Sequence, residues 1–344
     1  MREPVKDRAS GGIAATATDR ASADLAPAHA HFRPLRPDDA EALCDLLLAA
    51  RVVDGPTEPV GREELRHLWF DHPGVRHETD SIAAFSNDGS LLGAAAVFAR
   101  DAPTAVARAF IPGAVRADQR RRGIGTFLLR RAEERARALL DHVPDDLARQ
   151  IDCEAPATAA DRIALFETLG FRRARSFRTM RRDLVEPITS RSLPAGLRFA
   201  TWTPDLDEET RLAHNDAFRD HWGSDPLTPE RWRHFVADAP GFRPDCSWLA
   251  VEGATVAGYT LANVTDNADG ERIGWLGTIG VRRAWRQRGI AAALIARSLA
   301  SFAAAGATHA GLDVDAENPT GAVSVYSSLG FQAGDESIIY SKRI

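Results

Sequence analysis

An apolar stretch that runs into arginines and then glycine occurs twice in this chain, in the same order and nearly the same spacing. The first copy reads Val115-Arg116-Ala117-Asp118-Gln119-Arg120-Arg121-Arg122-Gly123-Ile124-Gly125. The second reads Val281-Arg282-Arg283-Ala284-Trp285-Arg286-Gln287-Arg288-Gly289-Ile290-Ala291. Both Arg286 and Gly289 follow their first-copy counterparts by 166 residues, and Leu169-Gly170-Phe171 returns as Leu329-Gly330-Phe331 after 160. Two ordered matches at nearly one offset point to an internal duplication, which fixes the number of folding units before any local reading. The length of 344 residues also suits two domains of ordinary size.

Hydrophobic periodicity predicts one order of elements in both halves. The first half reads as a strand over 32–35, helices over 38–52 and 61–70, and a hairpin of 82–85 with 91–99 around Asn87-Asp88-Gly89. A strand over 107–115 then enters the arginine-glycine turn. A long amphipathic helix (123–140), a buried strand (150–153), a helix (159–169) and closing strands (171–184) follow. The second half repeats this with a strand over 197–202, helices over 207–221 and 229–236, and a hairpin of 247–252 with 256–264. It continues with a strand over 272–281, a helix over 289–304, a strand over 310–314, a helix over 318–329 and a last strand region over 331–341. Residues 185–194 carry Glu-Pro, Thr-Ser and Leu-Pro and read as a linker. Residues 1–31 lack both periodicity and the apolar centre of a signal peptide, and read as a disordered tail.

The turn carries the chemistry. Where a helix begins, its first backbone N–H groups have no intrahelical partner, and the helix dipole adds partial positive charge. Such a terminus is an anion site. Glycine allows close approach of a phosphate, and arginines add forked donors. The spacing implies a diphosphate. Neither the Walker A lysine nor the Gly-x-Gly-x-x-Gly dinucleotide pattern is present.

Composition excludes other classes. A net charge of −5 disfavours general nucleic-acid binding. No apolar run approaches the roughly 20 residues of a membrane span. Cys44, Cys153 and Cys246 are far apart and odd in number, so neither a disulfide framework nor a metal spacing is visible; a cytoplasmic setting is expected. Cys153 reads as a small buried residue rather than a nucleophile. Trp222, Trp232 and Trp275 read as core, and Arg130-Arg131 and Arg181-Arg182 as solvated faces. Lys6 and Lys342 are the only lysines, a bias that suggests a GC-rich, actinobacterial coding preference.

Both turns resemble the acetyl-CoA motif of the GNAT superfamily, and Asn318-Pro-Thr-Gly-Ala-Val-Ser-Val-Tyr326-Ser-Ser-Leu-Gly-Phe331 resembles its other diagnostic stretch. The resemblance covers about residues 32–344, and duplicated actinobacterial members of the mycothiol-synthase type resemble this arrangement. It implies an α/β fold (an α+β mixed sheet) of two tandem domains, 32–184 and 195–344, each a splayed mixed β-sheet flanked by helices. The cofactor implied is acetyl-CoA or another acyl-CoA. Its diphosphate would sit on the two turns, and its pantetheine arm between the splayed parallel strands over 272–281 and 310–314, beside Ile279 and Val281. Tyr326 falls at the position of the usual acid, which protonates the leaving thiolate, and Asn318 at a position that contacts cofactor or intermediate. In the first copy these become Phe166, which cannot donate a proton, and Thr158, so that copy is expected to be non-catalytic. The resemblance often implies a Glu on the strand before the turn, but here that strand has no acid. Asp220, His221 and Thr278 are the candidates for the acceptor side, with Asp313, Asp315 and Glu317 as further acids.

The resulting expectation is an acyl-CoA-dependent N-acetyltransferase acting on the primary amine of a small molecule, such as a metabolite, an antibiotic or an aminoglycoside-like sugar. Neither nucleic acid nor membrane is expected as a partner, and no metal. A silent acyl-CoA sensor and a protein N-acetyltransferase are the alternatives.

Overall fold

In the computed structural model, residues 26–55, 60–100, 103–266, 270–317 and 321–344 are described. The first half contains β1 (His31–Arg33), α1 (Ala40–Asp54), α2 (Arg62–Phe70), α3 (His77–Asp80), β2 (Ser81–Phe85), β3 (Leu91–Ala96), β4 (Phe98–Ala99), β5 (Val106–Phe110) and β6 (Gly113–Val115). It ends with α4 (Ile124–Leu140), β7 (Ala148–Pro156), α5 (Ala160–Thr168) and β8 (Arg172–Asp183). The second half contains β9 (Arg198–Thr201), α6 (Asp207–Ala217), α7 (Pro229–Phe235), β10 (Trp248–Glu252), β11 (Thr255–Asp266) and β12 (Arg272–Val281). It ends with α8 (Ile290–Ala304), β13 (His309–Asp315), α9 (Ala322–Ser328) and β14 (Gln332–Arg343).

The predicted order of elements is present, with local differences. The strand expected over 107–115 is broken at Ile111-Pro112 into β5 and β6, because proline has no N–H for the ladder. The helix expected over 207–221 stops at Ala217, which leaves His221 in a loop. Of the tail expected over 1–31, residues 1–25 lie outside the described residues. Residues 26–31 form a turn, closed by Ala30 N–H donating to the Pro27 carbonyl at 3.2 Å, and the start of β1. Residues 185–194 contain neither helix nor strand.

The sheet does not follow the sequence boundary between the halves. A small sheet has the order β1-β2-β3-β6, and a ten-stranded sheet the order β4-β5-β7-β14-β8-β13-β12-β11-β10-β9. Each half's last strand pairs with the other half's next-to-last strand. β14 is antiparallel to β7, with Ile339 opposite Glu154. β8 is antiparallel to β13, with Gly311 opposite Arg181. The two exchanged strands pair with each other at the centre. The cores follow the exchange. Ile338 and Tyr340 of β14 pack with Ile124, Leu128 and Ile151 of the first half. Met180 of β8 and Leu184 pack with Leu299, Phe302 and Leu312 of the second.

The long helices cover the sheet where the pattern predicts. In α4, Ile124, Phe127, Leu128, Ala132, Ala136 and Leu140 are buried, one stripe at helical spacing. Cys153 is fully buried and its thiol is pushed well up by desolvation, which makes it core. Trp232 is core too, with its indole N–H donating to Asp207 at 2.7 Å. Arg182 corrects the solvated-face expectation: it is buried, and donates to the carbonyls of Leu329 and of Pro187 (2.9 Å), tying β8 to the turn before β14. Trp222 also departs from the core expectation: it lies half-buried in the loop between α6 and α7, under the Arg108 guanidinium at 4.6 Å.

Candidate active site

The site is a parting of two parallel strands. In the second half, β12 and β13 pair only from Ile273–Trp275 to His309–Gly311. Beyond them the β11–β12 register shifts, with Leu261 opposite Thr278 but Ala262 opposite Leu276, so Gly277 bulges out. A bulge turns a strand and ends its pairing. In the first half, β5 and β7 pair from Val106 to Phe110, Ile111 N–H donates to the Asp152 carbonyl at 2.9 Å, and the strands then separate at Pro112. Between them lies a cavity of about 390 Å³, lined by residues that include Ala94, Ala114, Gly123, Glu154 and Phe166.

Each parting ends at the arginine-glycine turn, and the two turns share an uncommon backbone. Arg121 (φ 60°) and Gln287 (φ 62°) are the non-glycine residues of positive φ among the described residues. Gly123 (87°) and Gly289 (77°) follow two positions later and lead into α4 and α8. Left-handed backbone costs a residue with a Cβ roughly 1–2 kcal/mol, and such strain clusters at functional sites. Alternation of this kind turns successive N–H groups into one concavity, an anion nest. These features fit a diphosphate, and the cavity beside the first turn fits a narrow apolar arm.

The arginines that open the turns have a different role from the one expected. Arg286 donates from Nε to the Val281 carbonyl (3.2 Å) and from Nη2 to the Ala217 carbonyl (2.7 Å). Arg120 donates from Nε to the Val115 carbonyl (3.3 Å) and from Nη1 to buried Asp54 (2.6 Å). Both tie the turn to its strand and to the end of the half's first helix, so their forks face the protein. The side chains of Ile124 and Ile290 are buried, and these residues form the first turn of α4 and α8, where backbone N–H groups have no intrahelical acceptor. Arg121, Arg122 and Arg288 are exposed.

Tyr326 lies on α9, packed against the core that holds Leu276 of β12 and Leu312 of β13, and edge-on to Phe331 with centroids 6.2 Å apart. Burial pushes its phenol up to about 12. Burial also raises the phenol of Tyr259 on β11, which is fully buried, and the charge of Tyr326 adds to that. Tyr259 in turn shares a 2.8 Å hydrogen bond with His214 Nδ1 of α6, and burial depresses His214 to about 4. Phe166, the Tyr326 counterpart, lines the first-half cavity. Thr158 donates to the Asp54 carbonyl at 2.5 Å. Asn318 lies outside the described residues.

The acceptor-side candidates separate. Asp220 is exposed and paired with Arg283 and, at 3.9 Å, with Arg286, so it belongs to the turn. Thr278 lies at the bulge, half-buried. His221 is half-buried near Phe177, with centroids 6.5 Å apart. Desolvation lowers it, and the charge of Asp315 acts against that. Its Nδ1 lies 3.1 Å from the Trp222 carbonyl, so Nδ1 carries the proton and Nε2 keeps its lone pair. Arg175 of β8 holds Asp315 through two bonds of 2.9 and 2.7 Å and reaches Glu317 at 3.1 Å. Asp313 accepts from the Thr179 hydroxyl at 2.7 Å. Trp275 stands where the resemblance implies a Glu-bearing strand; it lies flat over Gly311, where a Cβ would come within 2.2 Å of the ring.

Tyr259, His214, Glu154 and Arg175 escaped the sequence reading. Tyr259 sits in a strand pattern that reads as ordinary core, and its partner is 45 positions away. Arg175 reaches the site only through the strand exchange. Among the described residues, no group of three or more His, Cys, Asp or Glu is placed to hold a metal ion, and no helix is long and apolar enough to cross a membrane.

Comparison with known proteins agrees with this geometry. The model of the acetyltransferase (GNAT) family matches residues 40–171 and again 208–331. A mycothiol acetyltransferase of Thermobispora bispora is 31% identical over 310 residues, 89% of this chain and 97% of that relative. A GCN5-related N-acetyltransferase from Sphaerobacter thermophilus superposes with a TM-score of 0.73 at 27% identity, covering 92% of this chain and 96% of that one. A tandem GNAT protein from the clavulanic acid biosynthesis pathway shares the fold, with a TM-score of 0.69 at 20% identity over 91% of this chain and 98% of that one. With two anion turns, two parted strand pairs and two matches to one family model, the chain belongs to the GNAT acetyltransferase family and is an N-acyltransferase in tandem form.

Proposed function

We propose that the C-terminal half transfers an acyl group, acetyl foremost, from acyl-CoA to the primary amine of a small molecule, and that the N-terminal half binds acyl-CoA without turning it over. The observation that carries this reading is a difference between equivalent positions: Tyr326 in one half, Phe166 in the other. A phenol pushed up to about 12 is protonated at neutral pH and can supply the proton that a leaving thiolate takes. Phenylalanine cannot.

An alkyl amine of pKa about 10 is roughly one part in a thousand neutral at pH 7, so its proton must go somewhere. His221 suits that task. Burial lowers its pKa and so favours the neutral ring, with Nε2 free to accept; the charge of Asp315 favours the imidazolium and that of Arg175 opposes it. When bound, acyl-CoA supplies the activated carbonyl. The nest at 286–291 and the α8 N-terminus hold its diphosphate, and the buried faces of β12 and β13 exclude water. The relatives' name supports a narrower version, in which the acceptor is the cysteinyl aminoglycoside sugar of mycothiol chemistry.

The test is CoA release from acetyl-CoA over a panel of amines that includes cysteinyl sugars, aminoglycosides and amino acids. Acceptor-dependent release is expected. Tyr326→Phe is expected to lower kcat about 10²–10⁴-fold with acetyl-CoA affinity nearly unchanged. An unchanged rate removes Tyr326 from the mechanism. Binding with no release on any amine leaves the sensor reading.

A further inference from the structure

The halves differ most where their third strands face the parting. In the first half Gly93 pairs with Val115 and Ala94 with Ala114, and both alanines line the cavity. The same register in the second half pairs Gly258 with Val281 and Tyr259 with Gly280. A phenol therefore stands where the first half has a methyl group. Glycine opposite it is required: a Cβ at Gly280 would come within 2.5 Å of Tyr259 Cε1 and 2.6 Å of its oxygen. The ring is fully buried, and the 2.8 Å hydrogen bond to His214 holds it there. His214 is itself fixed, stacked on Phe218 with centroids 4.4 Å apart. Space that is cavity beside one turn is thus filled by a tethered ring beside the other, close to Tyr326.

We propose that Tyr259 sets the acyl length admitted by the C-terminal cleft, confining it to short acyl groups, whereas the N-terminal cleft, with Ala94 and Ala114 in the same register, takes longer ones. This rests on the reading of both halves as acyl-CoA sites. The physical basis is steric: in a closed apolar slot one methylene too many costs about 10-fold or more, and a buried, hydrogen-bonded ring does not move aside cheaply.

The test is calorimetric binding of acetyl-CoA and octanoyl-CoA to the full chain, which needs no acceptor. Wild type is expected to bind acetyl-CoA at two sites per chain and octanoyl-CoA at one. Tyr259→Ala is expected to bind octanoyl-CoA at both. Tyr259→Phe, which keeps the ring and loses the His214 bond, should still bind it at one. Octanoyl-CoA at two sites in wild type, or at one in a folded Tyr259→Ala chain that binds acetyl-CoA at two, overturns the inference. If circular dichroism shows Tyr259→Ala to be unfolded, Tyr259→Leu makes the same comparison. The converse change, Ala94→Tyr, should abolish octanoyl-CoA binding while the Tyr259 site still takes acetyl-CoA; retained octanoyl-CoA binding overturns the inference. No binding of either ligand by wild type is a different result, since it defeats the cofactor reading itself and this inference with it.

Discussion

At the scale of single residues, titration and backbone conformation make the sharpest statements. If His221 accepts the amine proton, kcat/KM falls as pH drops through its folded value, which burial places below the ordinary imidazole value of 6.5. His221→Ala is expected to flatten that acid limb, as a pH profile of wild type and variant will show. His234 makes a stability statement. Its ring stacks on His67 at 4.1 Å across the boundary between α2 and α7, its Nε2 is buried without a partner, and burial depresses it to about 4. His67, His72, Asp71 and Arg231 are the charged or titratable neighbours. The native state therefore binds fewer protons here than the unfolded chain, so stability is complete above pH 6.5 and declines as pH falls toward 4. His234→Phe is expected to shrink the fall in Tm over that window.

At the scale of elements, the turn owes its shape to ties that face away from the ligand. Arg286→Ala leaves the Val281 and Ala217 carbonyls without their donors. A lost donor to a buried carbonyl costs about 1–3 kcal/mol. Chemical denaturation should show that loss, and calorimetry a weaker affinity for acetyl-CoA, as the turn loses its ties to β12 and α6. The motif was legible in the sequence because strand end, turn and helix start are local. The direction of its arginines was not, because Ala217 and Asp54 come from a distant helix end. The Ile111-Pro112 break is local as well, but the apolar residues on both sides of it read as one continuous strand.

At the scale of the whole molecule, the strand exchange governs stability. β14 completes the first half's core and β8 the second's, so neither half retains a full core alone. Cleavage within the exposed, irregular residues 185–194 is therefore expected to leave two fragments that co-elute on size exclusion and separate only in denaturant. Each fragment expressed alone is expected to lack a cooperative thermal transition. Separate elution after native cleavage contradicts this account. The exchange also joins Arg175 of the first half to Asp315 of the second.

The order of the elements, the duplication, the two anion turns and the contrast between Tyr326 and Phe166 were all determined by sequence alone. Each depends on contiguous residues and on backbone rules that act over one or two turns. Tertiary structure alone decided that the halves trade their last strands, that Asp220 pairs with the turn's arginines while His221 feels the charge of Asp315, and that Tyr259 fills what is a cavity in the other half. Those outcomes depend on pairing across 45 to more than 180 positions. Over such separations many partners satisfy the same local pattern, and only the packing of the complete sheet selects among them.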